Sequence, residues 1–434
     1  MVPPSAAAPP QGRDPSTVVR APGDVNATPS ARTVRDLSII IEDMRISRLF
    51  LTAALLIGVL VPTPAHAAAT FPRIDASGFQ LVSGDTFATY GARVAQLETK
   101  PQLAPVGVTE VLAASNRTGR PLCHSTYLNA SLNPQGFCWQ DGEDDDENVW
   151  IPQGVSGSGD AQPAGGARRV VVATWHNSDD TAIRVSFLDL ATLKYRHVLL
   201  VEPTADGNFQ AIAGHGHGLF WSGNMLVVAT GGSVLRVFDL RHIWRTDTST
   251  GEVGLGADGK YHALWHAFAL PQVGAYWYAG GGCANSIGTK PCFASLGIDH
   301  AGSGSFVAVE HTERGGGRIV RWPLDEAAGL PRAGSDGVVH AVEAFNSPVW
   351  GMQGATSYDN NFVITGVCPE YAGNIGDGID YPSCLHRGVG GESTTVWTKA
   401  PKNTENLSYW PATGELWLIS EQLRERVTVH VPFP

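Results

Sequence analysis

Polar residues able to do chemistry recur in this sequence at the head of short apolar runs. Gln153 opens "QGVSG", His217 opens "HGLFWSG", Gln353 opens "QGATS" and Glu405 stands in "TENLSYW", with His215 and Asn406 beside them. A second set, His176, Asp299, His300, Glu310 and His311, falls near the ends of the strands expected next to these openings. Cleaving a glycosidic bond takes two carboxyl groups about 5 to 10 Å apart, one as acid and one as nucleophile or base. Glu405 with Glu310 or Asp299 would form such a pair, and Glu405 with His217 would serve a hydrolase or lyase. The histidines also suit a metal. The competing expectation is that the first set satisfies its own hydrogen bonds and channels water along an axis.

Other motifs carry less. The run "DGEDDDE" (Asp141 to Glu147) offers hard oxygen ligands for calcium but lacks the helix–loop–helix pattern, so a solvated acidic loop is the expectation. No other cofactor is indicated. "GLGADG" at Gly254 follows no strand and opens no helix, and "HALWH" sets His262 and His266 four apart without an adjacent Glu.

The elements that must position these residues repeat. "WIPQGVSG" from Trp150 and "WGMQGATS" from Trp350 share Trp-x-x-Gln-Gly-apolar-Ser/Thr, each just ahead of an apolar run. Weaker relatives begin at His215, Ala294 and Thr404. Anchored at Gln153, His217, Ser295, Gln353 and Glu405, the steps are 64, 78, 58 and 52 residues. Short strands with turn signals at such periods predict a β-propeller, whose blades bury each other's faces. The opening phrase is then each blade's innermost strand, where small residues are needed because strands converge on the axis. Five blades are expected over residues 150–434, with six the alternative. A strand from the other terminus should close the ring, and "VGVTEVLAAS" (Val106 to Ser115) is the expected supplier. Residues 68–149 should hold that strand and a disulfide-pinned loop lying over one mouth.

Compartment is legible too. Arg45 and Arg48 precede 13 mostly apolar residues, Leu49 to Val61, and then Ala65-His66-Ala67. This is the pattern of a secretory signal peptide over residues 44–67, too short to span a bilayer, cleaved after Ala67. Residues 1–43, rich in Pro, Ala, Ser and Arg, read as a mis-assigned upstream start. All six cysteines follow the cleavage point, and their spacings of 15, 9 and 16 favour sequential pairing: Cys123 with Cys138, Cys283 with Cys292, Cys368 with Cys384. With a net charge of −11 and no basic stripe, a nucleic-acid partner has no support. A secreted monomer without membrane insertion is expected.

The segments "HGLFWSGNMLVVATGGSVLRVFDLRHIW", "ENLSYWPATGELWLISE" and "WIPQGVS" resemble an uncharacterised family of secreted β-propeller proteins from actinobacteria. The resemblance spans about residues 75 to 434 and implies fold and export, without catalytic residues. Gln-Gly-apolar inner strands are also similar to those of plant-type glutaminyl cyclases, though too little of their pattern is present to transfer residues. The expected function is binding of an extracellular small molecule, a glycan or cell-wall fragment, at the axial funnel. The alternatives are a hydrolase or lyase at the same funnel and a protein-interaction scaffold. Twelve tryptophans and ten tyrosines suit sugar rings, although most should pack between blades.

Overall fold

The computed structural model describes residues 68–162, 168–286 and 288–434. Among these, five four-stranded antiparallel blades surround one axis. Blade 1 runs Trp150–Gly157, Val170–Asn177, Ile183–Asp189, Lys194–Pro203. Blade 2 is Gly218–Ser222, Met225–Gly231, Val234–Asp239, Phe268–Tyr278, and blade 3 is Ser295–Asp299, Ser305–Val309, Gly316–Asp325, Glu343–Trp350. Blade 4 is Gly354–Tyr358, Asn361–Val367, Pro382–Val389, Ser393–Lys402. Blade 5 takes three strands from the C-terminus, Thr404–Trp410, Glu415–Ser420 and Val427–Pro432, and its fourth, Gln135–Cys138, from far upstream. The fold is a five-bladed β-propeller closed by an N-terminal strand.

Packing follows from burial on both sheet faces, which is why strands such as "VVVATWHN" read as near-continuous apolar runs rather than alternating ones. The large apolar clusters lie between successive blades. Val185 and Phe187 meet Leu226 and Phe238 across the first seam, and Val237 meets Phe306 and Trp322 across the second. At the seam where the ring closes, Trp139 stacks edge-on against Trp175 and Tyr195, with ring centroids 4.8 and 5.1 Å apart. Around the axis the inner strands nearly touch. A Cβ on Gly218 would stand 2.7 Å from Ser295 Cα, and one on Gly354 would meet the backbone of Glu405. The glycines of the repeated phrase are required by that approach.

The segment before blade 1 is a belt rather than a separate unit. Ala69–Thr70 pairs with the outer strand of blade 4, Arg73–Ile74 with that of blade 3, Gln80–Val82 with that of blade 2, and Arg117–Thr118 with that of blade 1. It shields outer edges in the order four, three, two, one, then enters blade 5; exposed edges invite pairing with other chains. The expected closing strand was misplaced. Val108–Ala113 is a helix whose N-terminal Gly107 N–H donates to Glu110, with Val111 and Leu112 buried on its inner side. Its apolar spacing of three and four residues fits a helix.

The disulfides form as the spacings implied: Cys123–Cys138, Cys283–Cys292 and Cys368–Cys384. The first pins the closing strand. Two other expectations change. Pro382–Val389, which overlaps the end of the Cys368–Cys384 loop, forms the third strand of blade 4, a strand the sequence did not lead us to expect. The acidic run is not a solvated loop over a mouth: Asp144 and Asp145 are 5% and 1% exposed. Asp144 pairs with Arg184 of blade 1, and Asp145 with Arg120, His124 and the Arg426 backbone N–H of blade 5. The run is the clasp that joins the closing strand to blades 1 and 5. The expected signal peptide and upstream segment lie outside the described residues. No helix among the described residues is long and apolar enough to cross a membrane.

Candidate functional site at the axial funnel

One end of the axis opens into a funnel. Its wall is built from the first residues of inner strands and the last residues of the second strands, which run back to the same rim. Gln153, Gln353 and Glu405 come from the former, and His311 and Glu421 from the latter. Two adjoining cavities, about 280 and 270 Å³, share His311, Gln353 and Glu421. The second also takes in Gln153, His215 and His217; the first takes in Glu405 and reaches under the Cys368–Cys384 loop to Tyr371 and Tyr381. Those two tyrosine rings stack with centroids 4.5 Å apart.

Irregular backbone aims the polar groups. Pairing of blade 1's first two strands shifts register between Pro152 and Val155, and that of blade 5 between Thr404 and Leu407. The resulting bulges fall on Gln153–Gly154 and Glu405–Asn406. A bulge re-aims a side chain and recurs beside functional sites.

The two glutamines of the repeated phrase each hold a glutamate. Gln153 Nε2 donates to Glu421 Oε2 at 2.5 Å, and Gln353 Nε2 to Glu405 Oε1 at 3.3 Å. Glu405 is 2% exposed. Burial, with the neighbouring Glu421 carboxyl, holds its pKa well above the usual carboxylate range. Burial also raises Glu421, but the Gln153 amide and the Arg426 guanidinium act against it. The two carboxyls therefore share a wall in unlike surroundings.

Opposite them the histidine rings are stacked: His176 on His215 at 3.8 Å and His215 on His217 at 4.5 Å. Burial, then the nearby His215, His176 and His311, pushes His217 down to about 3, so it is uncharged at neutral pH. His311 Nδ1 lies 3.2 Å from the Met352 carbonyl.

Of the first expected set, Gln153, His215, His217, Gln353 and Glu405 meet at the funnel. Asn406 does not line it. It is fully buried one residue deeper, where Nδ2 donates to Val155 O at 2.9 Å and Leu219 O at 3.2 Å and Oδ1 accepts from Ser295. Asn406 plugs the axis. The second set splits: His311 lines the funnel and His176 lies buried behind it, stacked on His215, while Asp299 and His300 sit at the far end of their inner strand. Asp299 is paired with Arg321 at 2.6 Å, and His300 contacts Glu326 at 2.8 Å. Glu310 is held by Arg318 through both oxygens. The carboxyl partner of Glu405 is thus Glu421, which sequence reasoning missed although it occupies the strand-end position of His176 and His311.

No family model and no curated protein matches the sequence. Among solved structures the chain is similar to a gluconolactonase of Xanthomonas campestris, at 9% identity and a TM-score of 0.31, covering 74% of this chain and 98% of that one. It is similar also to a 6-phosphogluconolactonase-like protein of Bacteroides uniformis (13%, 0.28, 61% and 65%) and to the β-propeller domain of the Myceliophteria thermophila protein Swd1 (8%, 0.28, 74% and 99%). Likenesses this slight carry no argument about function; the propeller rests on the strand pairing described above.

Proposed function

We propose that this chain is an exported β-propeller that binds an extracellular glycan or cell-wall fragment in its axial funnel. The observation that carries the reading is the convergence of Gln153, Gln353, Glu405 and Glu421 on two adjoining cavities at one end of the axis. Convergent polar groups in a cavity are the usual make-up of a ligand site. The stacked Tyr371 and Tyr381 beside them offer the aromatic surface that sugar rings favour. Three disulfides are in keeping with an oxidising compartment.

Catalysis in the same funnel is the second reading, favoured by the unlike carboxyls. Glu405, held protonated, would give its proton to the leaving oxygen as the bond breaks. Glu421, the more readily ionised, would take a proton from the attacking water, so that one water is added overall. His217 faces the same space and is the further candidate.

A glycan array and a mass-spectrometric screen of cell-wall fragments test both readings, run on the wild type, Glu405→Gln and Glu421→Gln. The expected result is one bound glycan class, weakened at least about tenfold in Glu421→Gln, which loses a charge-assisted hydrogen bond, and weakened less in Glu405→Gln, where an amide replaces the carboxyl. Gain of one water by the bound fragment would establish hydrolysis. No bound glycan, or binding untouched by both substitutions, overturns the proposal.

A further inference from the structure

We propose that His176, Asp180 and His215 form a binding site for a divalent transition metal, Zn²⁺ being the type, at the rim of the funnel. Three different stretches of chain deliver the three groups to one point. His176 ends the second strand of blade 1, Asp180 sits in the turn that follows, and His215 lies in the loop leading to blade 2. One nitrogen from each imidazole and one carboxylate oxygen lie within 4.8 Å of one another. His176 Nδ1 is 2.6 Å and His215 Nδ1 3.2 Å from the same atom, Asp180 Oδ1.

The backbone fixes this convergence. Asp180 adopts a left-handed φ of 56°, and its carbonyl accepts from Gly214 N at 2.8 Å, tying the turn directly to the residue before His215. His215 N in turn donates to Thr230 O at 3.0 Å. The rings of His176 and His215 are stacked at 3.8 Å with both Nδ1 atoms turned to the carboxylate. His176 Nδ1 also lies 2.9 Å from the Asn177 carbonyl, so it donates a proton that metal binding would release; a cation between the two imidazoles and Asp180 would then take a lone pair from each.

The donor set selects the ion. Two imidazoles and one carboxylate suit Zn²⁺, Cu²⁺ or Ni²⁺, whereas Ca²⁺ takes oxygen ligands. Tetrahedral coordination at about 2.1 Å sets donors about 3.3 Å apart. The His215 separation already fits, and the Asp180 carboxylate, 53% exposed, has room to draw back from His176 by somewhat under about 1 Å. Three protein ligands leave a position open, the pattern of sites where the metal meets water or substrate. His215 lines the funnel, which places the site beside it. The site requires no particular occupant of the funnel.

The test uses the purified full chain carrying no added histidines, stripped with chelator and titrated with Zn²⁺ by calorimetry. One Zn²⁺ per chain is expected. Affinity should fall by at least about 100-fold in Asp180→Asn and in His215→Ala, since even partners one shell out cost about 10–100-fold. Both side chains are at least one third exposed, so folding should survive, as melting curves would verify. With Cu²⁺ in place of Zn²⁺, electron paramagnetic resonance should show two coupled nitrogens in the wild type and one in His215→Ala. A mere hydrogen-bonded cluster gives neither signal. No saturable Zn²⁺ binding, or binding indifferent to both substitutions, overturns the proposal.

Discussion

Asp144→Asn keeps the shape of the ring-closing clasp and removes its charge. Asp144 accepts from Arg184 Nη2 and from Tyr195 OH, each at 2.6 Å, lies 3.0 Å from His197 Nε2, and is 3.4 Å from Arg117 Nε. Arg184 is 3% exposed, and Asp144 is its ion-pair partner. The substitution leaves a guanidinium buried between Trp150 and Trp175 without its counter-charge. Removing one member of a buried pair costs about 3–5 kcal/mol. A folded chain of about 370 residues unfolds with an entropy of roughly 0.8 kcal/mol/K, so Tm should fall by about 4–6 °C at pH 7. The pH dependence gives a second arm. Burial alone would raise the Asp144 carboxyl, but His197, Arg184 and Arg117 outweigh it and hold it well below the usual range. A carboxyl depressed in the fold stabilises above its unfolded value, and that stability is lost as pH falls through the folded value. The gap between wild type and variant should therefore be full at pH 7 and narrow below about pH 4. Scanning calorimetry at several pH values measures it, with the exposed Asp141→Asn as a control expected within about 0.5 kcal/mol of wild type. A Tm loss under about 1 °C, or a gap that widens in acid, would refute the clasp.

Three further outcomes follow from the same geometry. Glu405 is a carboxyl raised by burial, so its burial favours the fold below about pH 4.5 and that advantage fades as pH rises toward the folded value; Glu405→Gln should flatten the wild-type decline by up to about 1.4 kcal/mol per pH unit, read from melting curves. Gly218→Ala places a Cβ against the backbone of blade 3, which cannot yield as a side chain would, and should destabilise by about 1–3 kcal/mol in a denaturant titration without touching the funnel. Converting Cys368 and Cys384 together to alanine should cost about 3 kcal/mol of stability and also weaken ligand binding, because the loop carrying Tyr371 and Tyr381 loses its tether.

The architecture was legible where physics forces a residue type. Inner strands crowd the axis, so Gly154, Gly218 and Gly354 recur in phase with three of the blades, and the openings at Ser295 and Glu405 complete the five. That an upstream strand closes the ring was legible, but which strand was not. Gln135–Cys138 is four residues long and pairs with residues almost 300 positions away, so nothing local distinguishes it from other short stretches upstream. "PSCLHRGV" opens with proline inside a cysteine loop and so reads as a turn; only pairing on both sides, with Asn361–Val367 and Ser393–Lys402, makes it a strand. The acidic run misled because its counter-charges, Arg184 and Arg426, lie on two different blades. At the site, Gln153, Gln353 and Glu405 were visible from their place in the repeat. The bulges that aim two of them have no signature in composition, and Glu421 was hidden in an unremarkable "SEQL" although its strand-end position matches that of His176 and His311.

The axial plug bears on how deep the funnel runs. Asn406 spends its amide on three other inner strands, and the glycine contacts bring those strands to near backbone contact at the same depth. A side chain so buried should keep water from reaching Glu405 from below, and the Glu405 pKa, raised first by burial, should respond if that seal is opened. Asn406→Ala should consequently do two things at once. It strips partners from buried groups of blades 1, 2 and 3, costing about 3 kcal/mol or more at 1–3 kcal/mol each. By admitting water beneath the funnel floor it should also bring the Glu405 titration back toward the ordinary carboxylate range, measurable by the carboxyl stretch in infrared difference spectra. If the Glu405 band titrates as in the wild type while stability falls, the plug is a fastening of the blades alone and the seal lies elsewhere on the funnel wall.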